Sequence, residues 1–204
     1  VYHIAILVTA ILLLLGLILA LYLKGPSKPD AVLYKGSGET NLDLDSPENT
    51  LFLDLKDGRV VIKMRPDLAP KHVARIKELV RKGFYNGLNF HRVIEGFMAQ
   101  GGDPMGNGSG GSGLNLGAEF SHEKFERGVV GMARSQGNNS ADSQFFIMLG
   151  DGRWLDNNYT VWGTVSEGMN FVDGIKIIDS STVGISAYEP DQIVRMQIAA
   201  DVSE

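Results

Sequence analysis

The chain has 204 residues, 19 Lys and Arg against 24 Asp and Glu, a formal net charge of −5 and no cysteine. The missing cysteine excludes a disulfide framework, a thiolate nucleophile and any Cys-ligated zinc or iron–sulfur centre. The acidic balance argues against nucleic acid as a partner, because neutralising phosphates takes clustered Lys and Arg.

The charge is unevenly spread. Residues 1–23 contain no Asp, Glu, Lys or Arg, and only His3, Thr9 and Gly16 among them are not apolar. As a helix, the 20 residues from Ile4 to Leu23 would span roughly 30 Å, the thickness of a bilayer's hydrocarbon core. A secretory apolar region is shorter, about 7–15 residues, and Ala20-Leu21-Tyr22 is not a small-x-small cleavage site. Tyr2 and Tyr22 stand at the two ends, where interfacial aromatics sit. Residues 1–24 are therefore expected to form one transmembrane helix, with the lipid bilayer as a partner. Lys24, Lys28 and Lys35 follow it. Taken alone, the positive-inside rule would place that side in the cytoplasm, but the rule compares both flanks and these three report only one of them. Residues 25–48, with Pro26, Ser27, Pro29 and Pro47 and little periodicity, read as a linker. Residues 49–204 are long enough for one domain with its own core.

Within that domain, Thr50–Leu55 and Arg59–Met64 flank Lys56-Asp57-Gly58, a hairpin signal. Over Pro66–Lys82, Val73, Ile76, Leu79 and Val80 fall on one helical face, with Pro70 near the first turn and Gly83 as the stop. Short apolar runs follow at Phe97–Gln100, Val129–Ala133, Phe145–Leu149, Thr160–Val165 and Ile193–Ala199, and Phe171–Ile178 reads as a short second helix. Many short strands with glycine turns and one or two helices predict a mainly β fold, a closed barrel with helices over its ends.

Several site readings fail on spacing. The four histidines, His3, His72, His91 and His122, show no metal-ligand pattern. The glycine-rich stretch Gly106–Gly113 lacks a following Gly-Lys-Ser/Thr and reads as a flexible surface loop. Ser140 and Ser143 have no His–Asp pattern near them.

A more specific signal is Phe90-His91-Arg92-Val93-Ile94-Glu95-Gly96-Phe97-Met98-Ala99-Gln100-Gly101-Gly102-Asp103. After it come Gly131-Met132-Ala133-Arg134, Ser143-Gln144-Phe145-Phe146-Ile147, Trp154-Leu155-Asp156 and Tyr159-Thr160-Val161-Trp162-Gly163. Five blocks in this order, spread over roughly Asn49–Ser203, closely resemble the cyclophilin family of peptidyl-prolyl cis–trans isomerases, in its bacterial branch. The resemblance implies a closed eight-stranded antiparallel barrel capped by two helices, proline-containing polypeptides as substrates, and no cofactor or metal.

The chemistry suits such residues. Rotation about an X–Pro bond crosses a barrier of about 18–20 kcal/mol because it destroys amide resonance, and it takes tens to hundreds of seconds uncatalysed. No covalent bond breaks, so the requirement is a site that binds the twisted amide better than the planar forms. The pyramidal prolyl nitrogen gains a lone pair, which a guanidinium in a dry site would stabilise. By the resemblance, Arg92 is that guanidinium, Gln100 orients it and the substrate carbonyl, and Phe97 belongs to the catalytic set. Met98, Phe146 and Leu155 join Phe97 in the proline pocket. Ala133 and Arg134 match positions that bond the peptide through backbone, Gln144 matches a pocket-wall glutamine, and Trp154 matches a rim ring. Tyr159 stands where well-studied eukaryotic members carry histidine. Strand alternation places Phe145 in the core and Phe146 in the pocket.

The expected role is a membrane-anchored isomerase assisting protein folding, single-pass in a bacterial inner membrane with a periplasmic domain. The alternative is an accessory subunit of a larger membrane complex, its helix contacts allowed by the small residues Thr9, Gly16 and Ala20.

Overall fold

The structure is a computed structural model that describes residues 43–178 and 189–202. The predicted anchor, residues 1–24, and the linker as far as residue 42 lie outside the described residues. Among the described residues no helix is long and apolar enough to cross a membrane.

Residues Leu42–Glu204 form one compact unit. Its first turn already packs onto the domain. Asn49 Nδ2 donates to the carbonyl of Asp43 at 2.8 Å, and Glu48 accepts from Lys77 at 3.2 Å and Arg81 at 2.8 Å. Asp43–Glu48, read from composition as the end of a tether, is thus bonded to the helix that follows.

Strands β1 (Thr50–Leu55) and β2 (Gly58–Met64) make the predicted hairpin, with Leu55 opposite Gly58 and Thr50 opposite Lys63. Helix α1 runs from Pro70 to Arg81, four residues shorter at its start than the periodicity suggests, and buries Val73, Ile76, Leu79 and Val80 as predicted. Its start is fixed by a residue far along the chain. The Glu119 carboxylate accepts the Lys71 N–H at 3.1 Å and the His72 N–H at 3.0 Å, taking two of the donors a helix N-terminus leaves over.

The remaining strands are β3 (Arg92–Ile94), β4 (Met98–Gly101), β5 (Val129–Met132), β6 (Phe145–Met148), β7 (Val161–Glu167) and β8 (Arg195–Ile198). With β1 and β2 they form one eight-stranded antiparallel sheet in the order β3-β4-β6-β5-β7-β2-β1-β8. Strand β3 escapes the apolar pattern because it is three residues long and starts on an exposed arginine. The second helix, α2, spans Met169–Asp173 rather than Phe171–Ile178. Gly168, at φ 81°, sets its start and Gly174 ends it. Ile178 instead pairs with Val93 through hydrogen bonds of 2.7 and 3.0 Å.

Among the described residues the ladder has two ends, β3 and β8, which no continuous strand pairing joins, so the sheet is a half-barrel where a closed barrel is expected. The short edge strands are instead approached by the segments before them. Asn89 and Gln192 form an isolated bridge, flanked by Gly87 N–H to Ile193 O at 2.7 Å and Phe90 N–H to Asp191 O at 2.9 Å.

Two apolar clusters lie on the two faces of the sheet. The larger includes Leu51, Ile62, Ile76, Phe145 and Trp162. The smaller holds Met98, Phe125, Phe146, Met148, Leu155 and Val161. Adjacent residues Phe145 and Phe146 fall in different clusters, as the period of two requires.

Candidate active site

The β3–β4 hairpin places Arg92 directly opposite Gln100. Arg92 Nη1 donates to Gln100 Oε1 at 3.3 Å and lies 3.9 Å from Met98 Sδ. The amide of Gln100 does not end there. Its Nε2 donates to Gln144 Oε1 at 2.9 Å, and Gln144 Nε2 donates to the carbonyls of Gly108 at 3.0 Å and Gly110 at 2.8 Å. Donation runs in one consistent direction, from the guanidinium through the two glutamines to the carbonyls of the glycine-rich loop.

That loop is not slack. The buried Asp103 carboxylate accepts the N–H of Met105 at 2.8 Å, of Asn107 at 3.0 Å and of Gly108 at 2.6 Å. Burial pushes this carboxyl up, but the three backbone donors outweigh it and hold it below the usual carboxylate range. At the other end, Asp142 accepts the N–H of Ser112 at 3.0 Å and of Gly113 at 2.8 Å. Sequence reading misses both aspartates as organisers. The signal available was Asp103 sitting immediately before a run rich in glycine, since such runs leave many backbone donors to satisfy.

Beside Arg92 lies a cavity of about 130 Å³ lined by Arg92, Phe97, Met98, Gln100, Ala133, Arg134, Phe146, Leu155 and Tyr159. All nine are predicted site residues. Phe146, Met98 and Leu155 are almost fully buried and form the apolar floor. Behind them stands Phe125, fully buried and absent from the prediction. Its ring packs on Phe146 with centroids 5.7 Å apart and edge-on to Tyr159 at 6.4 Å. Tyr159 meets Phe146 edge-on at 5.9 Å. Gly131 makes this packing possible, because a Cβ there would lie 2.6 Å from Phe146 Cζ and 2.7 Å from Phe125 Cε1. Phe125 stands alone among charged residues in a loop, so no periodicity announces it.

Two predicted residues lie outside this lining. Gln144 borders an adjoining cavity of about 250 Å³, which shares Gln100, Ala133 and Arg134 with the first. Trp154 is 66% exposed, with its ring tilted against Phe97 at 5.3 Å, which is a rim position. The Ala133 N–H is already donated to Gln144 O at 2.9 Å. Arg134 bonds carbonyls of its own chain, Asn158 O from Nε and Ser135 O from Nη1, both at 3.0 Å. Its guanidinium lies 4.6 Å over the Tyr159 ring.

Two nearby serine hydroxyls are occupied. Ser143 Oγ donates to Gly102 O at 2.8 Å and Ser140 Oγ donates to Gly137 O at 2.5 Å. The His91 ring, next to Arg92, is held below the usual histidine range by burial. The arrangement therefore offers a cationic donor at the mouth of a small apolar cavity, with no activated nucleophile beside it. Such a site can hold a compact apolar ring and stabilise a lone pair next to it.

Comparison with known proteins agrees with this geometry. The cyclophilin type peptidyl-prolyl cis-trans isomerase/CLD family matches residues 51–198. A Brucella suis biovar 1 protein named "Probable peptidyl-prolyl cis-trans isomerase" is 56% identical over 167 residues, 76% of this chain and 85% of that one. Among solved structures, the cyclophilin AquaCyp293 from Hirschia baltica superposes with a TM-score of 0.68 at 29% identity, covering 78% of this chain and 76% of that one. The Cryptosporidium parvum cyclophilin type isomerase, crystallised in the presence of the dipeptide Ala-Pro, gives a TM-score of 0.65 at 28% identity, covering 73% of this chain and 98% of that one. From the family match, the sequence identity and the shared fold together, the chain belongs to the cyclophilin family of peptidyl-prolyl cis–trans isomerases.

Proposed function

We propose that this isomerase acts on proline-containing polypeptides at a membrane face, as a folding assistant anchored by residues 1–24, with its domain in the periplasm of a bacterium. The observation that carries the catalytic part is the guanidinium of Arg92 at the mouth of an apolar cavity, held by Gln100 from directly across the hairpin. The proline ring enters the cavity against Phe146, Met98 and Leu155. Arg92 then faces the prolyl nitrogen and stabilises its lone pair as the amide twists. Gln100 keeps the guanidinium in that orientation. The twisted amide gains this contact and the planar amide does not, which is the condition for acceleration. Every 1.4 kcal/mol of such selective stabilisation is worth about tenfold in rate.

The anchoring part is supported by the uncharged apolar run of residues 1–23, and the substrate class by the relative crystallised in the presence of Ala-Pro. Both parts are tested together by expressing the full chain in a bacterium. The isomerase should stay in the membrane pellet after alkaline carbonate washing and should be digested when protease is added to intact spheroplasts. Membranes carrying the wild type should speed the proline-limited refolding of a reporter protein, and membranes carrying Arg92→Ala should not. Release by carbonate would overturn the anchor, protection from protease would overturn the periplasmic placement, and equal refolding with Arg92→Ala would overturn the role of the guanidinium.

A further inference from the structure

Nine arginines occur in the chain, and seven of them carry an ion pair with a carboxylate, from Arg59 with Asp54 at 2.7 Å to Arg195 with Asp54 at 3.3 Å. The two others are Arg92 and Arg134, and both line the proline cavity. Among the described residues neither has a carboxylate within ion-pairing distance, and the cavity lining contains no Asp or Glu. In a chain of net charge −5, the unpaired guanidiniums therefore converge on one place.

Arg134 is already oriented. Nε and Nη1 are bonded to backbone carbonyls and the plane rests on Tyr159. Nη2 bonds to no acceptor among the described residues, so two N–H donors remain for something else. Arg134 also belongs to both cavities, the apolar one and the polar one beside it. The polar cavity does hold one carboxylate, Asp142. It is occupied by the N–H and hydroxyl of Ser112 and by the N–H of Gly113. A substrate carboxylate arriving at Arg134 would meet a fixed fork at little ordering cost, whereas a substrate ammonium would be repelled.

We propose that Arg134 is a specificity-determining residue that makes this isomerase favour polypeptides with Asp or Glu within two residues of the isomerised proline over those with Lys there. This rests on the reading that the proline occupies the apolar cavity. The test is a set of short Ala-Pro-containing peptides with Glu, Ala or Lys at each position within two residues of the proline. Their cis–trans exchange is followed by NMR with the full chain in detergent, at 50 and 500 mM NaCl.

At the most responsive position the ratio of kcat/KM for Glu over Lys should be about 3–10 at low salt. It should shrink toward one at high salt, where exposed charges are screened. Arg134→Gln should bring the ratio close to one at low salt, and Arg134→Lys should keep most of it. Each ratio is internal to its protein, so a general loss of rate from loosening Tyr159 does not imitate the effect. The salt dependence of the wild type stands even if a variant fails to fold. A ratio of one at every position in the wild type, or an unchanged ratio in Arg134→Gln, would overturn the proposal. Failure to turn over the Ala peptide in the wild type would instead overturn the placement of proline in the cavity.

Discussion

Arg92 and Gln100 face each other across the β3–β4 hairpin, and Gln100 is in turn held by Gln144 at 2.9 Å. Because Gln144 is fixed to the carbonyls of Gly108 and Gly110, the aim of an exposed guanidinium is set by the backbone of a loop that β4 leads into. A flexible side chain at a surface would otherwise lose its orientation to rotamer freedom.

The first consequence concerns the end of this relay. Arg92→Ala should lower kcat/KM by about 10²–10³-fold, the usual loss when one preorganised donor to a developing charge is removed. Arg92→Lys should recover little, since an ammonium lacks the planar fork that Gln100 holds. Neither substitution should move the melting temperature by more than about 2 °C, because exposed positions contribute little to stability. NMR exchange on an Ala-Pro peptide and a thermal melt check both.

The middle of the relay should act through the ends. Gln144→Ala leaves Gln100 Nε2 and two loop carbonyls without their partner, and it should cut kcat/KM by about tenfold. Gln100→Ala should do the same or somewhat more. Combined, the two should cost much less than the product of the single effects, because groups in one hydrogen-bond network are not additive. A double-mutant cycle on kcat/KM measures this directly.

Gly131→Ala tests the floor of the cavity. An added methyl would meet Phe146 and Phe125 at 2.6 and 2.7 Å, and both rings are locked by their neighbours. Overpacking of this kind costs about 1–3 kcal/mol, a fall in melting temperature of a few degrees or more. Displacement of Phe146 should also raise KM for prolyl peptides. Calorimetry and steady-state kinetics on the same preparation report the two effects.

Asp103 predicts a pH dependence. Burial raises its pKa, but the three backbone N–H donors together lower it by more, so the folded value lies below the unfolded one. A depressed carboxylate contributes stability that is fully present above the unfolded value and is lost as pH falls toward the folded value. The wild type should therefore lose stability progressively as the pH falls below about 5. Asp103→Asn, which cannot offer the same charged acceptor, should be less stable at pH 7 by about 1–3 kcal/mol. The difference between the two should narrow as the pH falls. Denaturant titrations of both proteins across this range provide the check.

Much of the site was legible in the sequence. Arg92, Phe97, Met98, Gln100, Ala133, Arg134, Phe146, Leu155 and Tyr159 were all identified there, and they line one cavity. The alternation that separated Phe145 from Phe146 is a property of any strand, so it could be read without knowing the sheet. The same holds for α1, whose apolar face follows the helical period. What was illegible depends on contacts between distant segments. Phe125 acquires its place from Phe146 and Tyr159, the start of α1 from Glu119, and the order of the glycine loop from Asp103 and Asp142.

The sequence by itself carried the five motif blocks whose family resemblance implies the reaction class and the pocket residues, and its local periods determined most of the strands and the apolar face of α1. Only the tertiary structure decided that among the described residues the ladder ends at β3 and β8, that α2 stops at Asp173, and that the two arginines without an ion pair there stand at one cavity. The physical reason is that an arginine's pairing is a question of which carboxylate the fold carries to it. Arg81 and Arg134 look alike in the sequence, yet the first meets Asp201 at 2.8 Å and the second rests on Tyr159 with donors to spare.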